Sequence, residues 1–227
     1  RINSKGKTNR LEKGMSDISV VKRNGQVEDL HLSKIHDMVE HACRGLAGVS
    51  ESAVEMNANL QVFDGIKTSD IQEILVRSAN DLISLEAPNY QFVAARLLLF
   101  GLRKQVYNGH PDLRPHIQEH VWDCIERGVY DKAILKAYSD EEWDQIESYI
   151  DHDRDYLFTY AGLRQVVDKY LVQDRSSGEV YETPQQMYIM IAATLFQKYP
   201  KETRLDYVRR YYNAISKHRI NIPTPIM

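Results

Sequence analysis

Cysteine is nearly absent: Cys43 and Cys124 are the only two in 227 residues. They form no Cys-x-x-Cys pair and no cysteine–histidine spacing of metal type, so a zinc ribbon is excluded. Two lone cysteines on apolar helical faces read as buried thiols in a reducing compartment, which points to the cytoplasm. No run of about 18 apolar residues exists, so no membrane span is expected. The opening RINSKGKTNRLEKG is polar, lacks the apolar core of a signal peptide and precedes Met15. Residues 1–15 are read as a leader outside the fold. Excess charge is lacking as well: 29 basic and 32 acidic side chains leave a net charge of −3. Nothing draws such a chain in bulk to nucleic acid or an anionic membrane, so any polyanion site must be local. There is no G-x-x-x-x-G-K-S/T phosphate loop, no G-x-S-x-G elbow and no internal repeat. No nucleophile–base pair is evident.

What is present, 43% hydrophobic and 27% charged residues, is the profile of a soluble globular protein. Val20 to Leu30 reads as a β-hairpin, with Asn24-Gly25 supplying the positive φ angles of a two-residue type I′ turn. Ser33 is expected to cap a helix whose apolar face is Ile35, Met38, Val39, Ala42 and Leu46. A second helix is predicted over 50–63 and is broken by Asp64-Gly65. Thr68-Ser69-Asp70 opens a third, with Ser69 and Gln72 spaced as a capping box. After Pro88 a fourth spans Tyr90 to Tyr107. This first unit, a short hairpin on four helices over 16–109, is followed by a more polar linker from His110-Pro111. The second, 110–227, is predicted to hold helices over 113–127 and 139–150 and a small hairpin across 170–181. Thr183-Pro184 then opens a helix to Gln197, apolar on most sides and so buried, before a last helix over 201–217. A strand is expected over 219–227. The fold class is mainly α.

Lys22, Arg23, Glu28 and Lys34 concentrate charge around the first hairpin and helix. Cations near a glycine turn can hold a polyphosphate, and a carboxylate can accept from a base or ribose. Taken alone, such charges are more often a solvated strand edge. Thr68 opens a helix where free N–H groups favour an anion, though an ordinary helix start looks the same. Lys104, in a last helical turn, equally stabilises the C-terminal dipole. Asp151-His152-Asp153-Arg154-Asp155 offers many ligand types, but adjacent side chains do not converge, and a helix end with local ion pairs fits better. His110, His116 and His120 have no third ligand in sight.

These signals stand in a recognisable order. VVKRNGQVEDLHLSKI, DGIKTSDIQEILVRSANDLIS and PNYQFVAARLLLFGLRKQVYNG resemble an ATP-cone, the nucleotide-sensing module of many ribonucleotide reductases. YIDHDRDYLFTYAGLRQVVDKYLVQDRSSGEVYETPQQMYIMIAATLF, KETRLDYVRRYY and INIPTPIM resemble the helical segment leading into the ten-stranded α/β barrel of the class I large subunit. The resemblance implies ATP or dATP as allosteric effectors, with Mg2+ accompanying the nucleotide. It places phosphates against Lys22, Lys34 and Lys104 and sets Thr68 at a helix N-terminus. Glu28, Asp29, Leu30, His31, Leu32 and Ser33 would surround the nucleoside, and Thr224 would help hold the substrate diphosphate.

The implied reaction reduces ribonucleoside diphosphates to deoxyribonucleotides. It uses a radical delivered by a small (beta) subunit and cysteines in the remainder of the large subunit. No catalytic residue, metal or redox cofactor is assigned here, and this chain alone is expected to be catalytically incomplete. The alternative, a stand-alone ATP-cone regulator, would resemble repressors with a four-cysteine ribbon before the cone, which two cysteines forbid. YIDHDRD and PTPIM favour the aerobic over the glycyl-radical reductase. Relatives that switch off with dATP carry histidines where this chain has Gln72 and Gly101, so dATP inhibition is expected to be weak or absent.

Overall fold

The computed structural model describes residues 18–59, 61–110 and 113–221. The leader, Thr224 and most of the strand expected over 219–227 lie outside these residues. Two compact units divide after Gly101, with Thr159–Ala161 grouped with the first.

In the first unit β1 (Ser19–Val21) pairs antiparallel with β2 (Val27–Asp29), placing Val20 opposite Glu28 and Val21 opposite Val27. The connection is not the two-residue type I′ turn expected. Lys22 N–H donates to Gln26 O at 2.8 Å, Gly25 N–H donates to Lys22 O at 2.9 Å, and Gly25 alone takes a positive φ in the turn, 83°. Asn24 uses its side chain instead: Oδ1 accepts from Gln26 N–H at 3.1 Å. That local turn keeps Asn24 right-handed and leaves the left-handed step to glycine.

A third strand, unforeseen from sequence, is β3 (Ile66–Lys67), parallel to β1 in the register Val20–Ile66 and Val21–Lys67. Asp64 staples this pairing, accepting from Ser19 N–H at 2.8 Å and Ser19 Oγ at 2.7 Å.

Four helices follow or flank the sheet: α1 (Leu32–Cys43), α2 (Glu51–Asn59), α3 (Thr68–Asp81) and α4 (Tyr90–Val106). The sheet sets where two of them begin. Leu30 N–H bonds Ile18 O, so the chain stays extended to His31; His31 becomes the N-cap and Ser33 lies inside the helix, not at its cap. Likewise β3 holds Lys67 extended, and the Ser69–Gln72 capping box does not form. Gln72 is buried instead, and its Nε2 donates to Leu97 O of α4 at 2.7 Å. The core joins Val39, Val54, Ile66, Leu75, Val93, Leu97 and Leu99.

The second unit contains α5 (Ile117–Glu126), α6 (Ala133–Ala137), α7 (Asp140–Ser148) and a 3-10 helix over His152–Leu157. After it come α8 (Tyr160–Lys169), the hairpin β4 (Gln173–Asp174) with β5 (Glu179–Val180), α9 (Pro184–Phe196) and α10 (Lys201–Ser216). Ser139 and Glu142 cap α7 reciprocally, and Thr183 does the same for α9 through Gln186, with Pro184 in the first turn. Burial of α9 is deep from Pro184 to Met190, whereas Leu195 in its last turn is exposed. Arg204 of α10 ties to Glu142 of α7, its Nε 2.7 Å from Oε1, and lies over the Tyr138 ring. No helix among the described residues is long and apolar enough to cross a membrane.

Candidate functional site

Parallel pairing of β1 with β3 makes one end of the sheet chemically distinctive. Val21 is in register with Lys67, so the next residues, Lys22 and Thr68, leave the sheet side by side. Neighbouring strands run about 4.8 Å apart, which puts the base of the Lys22 side chain next to the first residue of α3. The N–H groups of that first turn have no partner within the helix and point toward the same end. Lys67, the N-cap, supplies no side-chain cap to them.

Glu28 gathers the cations. Its Oε2 stands 2.6 Å from Lys22 Nζ and its Oε1 3.5 Å from Lys34 Nζ. The Lys22 hydrogen bond, with the field of both ammoniums, holds the Glu28 carboxyl below the usual carboxylate range. All three side chains reach solvent, so this is a soft, displaceable pairing. The arrangement presents two ammoniums, a helix N-terminus and one carboxylate to the same region: an anion site with an acceptor beside it.

The remaining residues of the 28–34 run do not all share that region. Asp29 is exposed at the end of β2, Leu30 anchors the chain to Ile18, and His31 is the N-cap of α1. At 100° per helical residue, Leu32 and His36 occupy one flank of α1 and Lys34 the other. Leu32 and Ser33 accordingly line a groove between α1 and α2 with Ile35, His36 and Glu55, about 570 Å³ including its open mouth. His36 Nδ1 is 2.8 Å from Glu55 Oε1, and that carboxylate raises the histidine's pKa above its ordinary value. Lys104 lies in the last turn of α4, in the part of that helix grouped with the second unit.

Sequence reading missed how closely α3 and α4 approach. Gly101 has no room for a side chain: a Cβ there would stand 2.9 Å from Gln72 Cγ. The Gly101 carbonyl accepts from Arg23 Nη2 at 3.3 Å, so the hairpin turn, α3 and α4 meet at this point. The spacing gives a signal in hindsight, since Gln72 is one turn beyond Thr68 and a mid-helix glycine is costly unless packing uses it.

Other candidates resolve into structure. His116 caps α5 through Nδ1, and His120 is buried with Nε2 3.6 Å from Cys124 Sγ. Burial pushes His120 down to about 4 and the Cys124 thiol up to about 12, so neither titrates near neutrality. Cys43 is buried and also raised, to about 11. Asp151 caps the 3-10 helix and pairs with Arg154, the local ion pair expected there. Asp155 behaves differently: it turns inward to Arg103 and Gln185.

Comparison with known proteins follows the same division. Residues 18–105 match the family described as ATP cone domain, and residues 156–227 the family described as ribonucleotide reductase, all-alpha domain. Over 211 residues the chain is 48% identical to ribonucleoside-diphosphate reductase 1 subunit alpha of Escherichia coli, covering 93% of this chain and 28% of that protein. The alpha subunit of Haemophilus influenzae is 49% identical over 92% of the chain and 28% of its own length. That of Enterobacteria phage T4 is 41% identical over 94% of the chain and 28% of its length. The chain thus spans about 28% of these curated relatives.

Proposed function

The chain belongs to the ribonucleotide reductase alpha-subunit family, as an ATP cone followed by the all-alpha domain of its N-terminal part, and from that premise we propose that it binds ATP as an allosteric effector at the Lys22–Glu28–Lys34–Thr68 end of its first sheet. One observation carries the reading: the β1–β3 register sets Lys22 beside the α3 N-terminus while Glu28 gathers Lys22 and Lys34. Phosphates would replace the Glu28 carboxylate on the two ammoniums, and the freed carboxylate would accept from ribose or base. His31, Leu32 and Ser33 would flank the nucleoside, with Asp29 and Leu30 as the backbone leading to it. Lys104 would add a further phosphate contact, and magnesium would accompany the nucleotide.

In the whole protein this effector site would regulate reduction of ribonucleoside diphosphates in the cytoplasm. The partners would be the remainder of the alpha subunit and a radical-bearing beta subunit. Thr224 would contact the substrate diphosphate. Inhibition by dATP would be weak or absent, because Gln72 and Gly101 form one filled, uncharged contact. An off-switch requires a ligand that distinguishes two states, and this contact offers no titratable group to do so.

Isothermal calorimetry with ATP tests the reading. Lys22→Ala and Lys34→Ala are each expected to weaken binding about three- to tenfold through lost charge-assisted contacts. Unchanged affinity in both variants would place the nucleotide elsewhere.

A further inference from the structure

The first hairpin turns on an asparagine followed by a glycine, Asn24-Gly25, both exposed to solvent. The space beside Gly25 is open: a Cβ there would meet nothing within 4 Å. Four hydrogen bonds hold the turn closed. Lys22 N–H donates to Gln26 O at 2.8 Å, and Gly25 N–H donates to Lys22 O at 2.9 Å. Asn24 Oδ1 accepts from Gln26 N–H and Asn24 Nδ2 donates to Gln26 Oε1, each at 3.1 Å. The turn joins strands of only three residues each, so it opens locally at little cost.

We propose that Asn24 is a site of spontaneous deamidation, and that the bound effector slows the reaction. When the turn opens, the Gly25 nitrogen leaves Lys22 O and attacks Asn24 Cγ. The new N–Cγ bond forms as Cγ–Nδ2 breaks. The Gly25 amide proton departs with the Asn24 nitrogen as ammonia, leaving a five-membered imide. Water then opens the imide at either carbonyl, giving aspartate or isoaspartate. One amide becomes one carboxylic acid, and no oxidant or reductant is needed. Glycine suits the step because it has no Cβ to crowd ring closure. The product matters here because it sets a carboxylate next to Arg23 and two residues from Lys22, where phosphates need cations. Isoaspartate also adds a methylene to the backbone inside the turn, which breaks the Lys22–Gln26 pairing. The protection rests on the reading above that the effector meets Lys22 and Glu28; the deamidation does not. Those two residues stand on opposite arms of the hairpin and already pair at 2.6 Å. A ligand held by both arms opposes the opening that frees the Gly25 nitrogen. If it binds only the closed turn, it lowers the open fraction about tenfold at ten times its dissociation constant.

The test ages the 227-residue chain at mildly alkaline pH, with and without ATP. Peptide mass spectrometry follows Asn24 separately from Asn108-Gly109, the other such pair. Without ATP, Asn24 is expected to convert to a mixture of aspartate and isoaspartate. In Asn24→Gln, whose longer side chain closes a ring far more slowly, position 24 should stay intact. An unconverted Asn24, after a time in which an unstructured peptide of residues 20–30 has reacted, would overturn the site. ATP at ten times its dissociation constant is expected to slow conversion about tenfold, and the Lys22→Ala, Lys34→Ala double variant to lose that protection. ATP that binds by calorimetry yet leaves the rate unchanged overturns the protection. ATP that does not bind at all removes the effector reading and the protection with it, while the deamidation is judged by the ATP-free arm.

Discussion

Replacing Gly101 by alanine probes a close contact between α3 and α4. The new Cβ would meet Gln72 Cγ at 2.9 Å and Cδ at 3.5 Å. Cγ is close to the root of a side chain that is 7% exposed, so it has little freedom to withdraw. Alanine in place of a mid-helix glycine gains about 1 kcal/mol of helix propensity. Against this, overpacking costs about 1–3 kcal/mol. Displacing Gln72 also strands an amide that now donates to Leu97 O at 2.7 Å, and a buried donor without an acceptor costs about 1–3 kcal/mol. The loss outweighs the gain, and Gly101→Ala is expected to destabilise the first unit by about 1–3 kcal/mol. Adding Gln72→Ala removes the obstruction, so the pair should be less harmful than the sum of the singles by about 1–2 kcal/mol. Both tryptophans, Trp122 and Trp143, lie in the second unit, so their fluorescence is the wrong probe. Urea unfolding followed by circular dichroism, with amide exchange across α3 and α4, reads the correct region. A stabilised Gly101→Ala, or additive singles, would refute the interlock.

Glu28→Ala separates the two roles given to that carboxylate: it is expected to tighten inorganic tripolyphosphate, by freeing Lys22 and Lys34, and to weaken ATP, by removing the nucleoside acceptor. Calorimetry with both ligands checks this, and a change of the same sign for both contradicts it. In the second unit, Glu182 is 1% exposed, accepts from Tyr130 Oη and Val172 N–H, and has no ion pair among the described residues. Burial pushes its pKa from 4.5 to about 7. The folded state then holds the extra proton between those values, so ionisation costs stability as pH rises through that window. Glu182→Gln should therefore gain on wild type by about 2–3 kcal/mol at pH 8 and by little at pH 4, read from urea melts at each pH. Taking the difference matters, because His120 and His152, both pushed down to about 4 by burial, give wild type a slope of opposite sign.

Local signals carried well from sequence to structure. The Thr183-Pro184 helix start, the Asp174–Glu179 hairpin and the two buried cysteines all depend on residues a few positions apart or on burial alone. What escaped depends on distant partners. β3 is two residues long and exists only because β1, more than forty positions earlier, offers its edge. Both misplaced caps follow from the sheet: Ser33 and Ser69 have the right chemistry, but the extended chain ends at His31 and Lys67, which become the N-caps, so each helix has already begun when its serine is reached. Asp155 reads as one more charge in an exposed run until the 3-10 helix turns it toward Arg103, 52 positions away. In the candidate site, the gathering of Lys22 and Lys34 on Glu28 is foreshadowed by their nearness in sequence, whereas the adjacency of Lys22 and Thr68 needs the parallel register. The splitting of Leu32 from Lys34 follows from helical geometry once the start of α1 is known.

Amide chemical shifts of the labelled 26.3 kDa chain, followed through an ATP titration, test whether the nucleotide binds at the sheet end. Saturable, one-to-one shifts are expected at Lys22, at Glu28 to Lys34 and in the first turn of α3 from Thr68. These should be lost together when Lys22 and Lys34 are both replaced by alanine. Shifts confined to residues outside that end of the sheet, or persisting undiminished in the double variant, would contradict it.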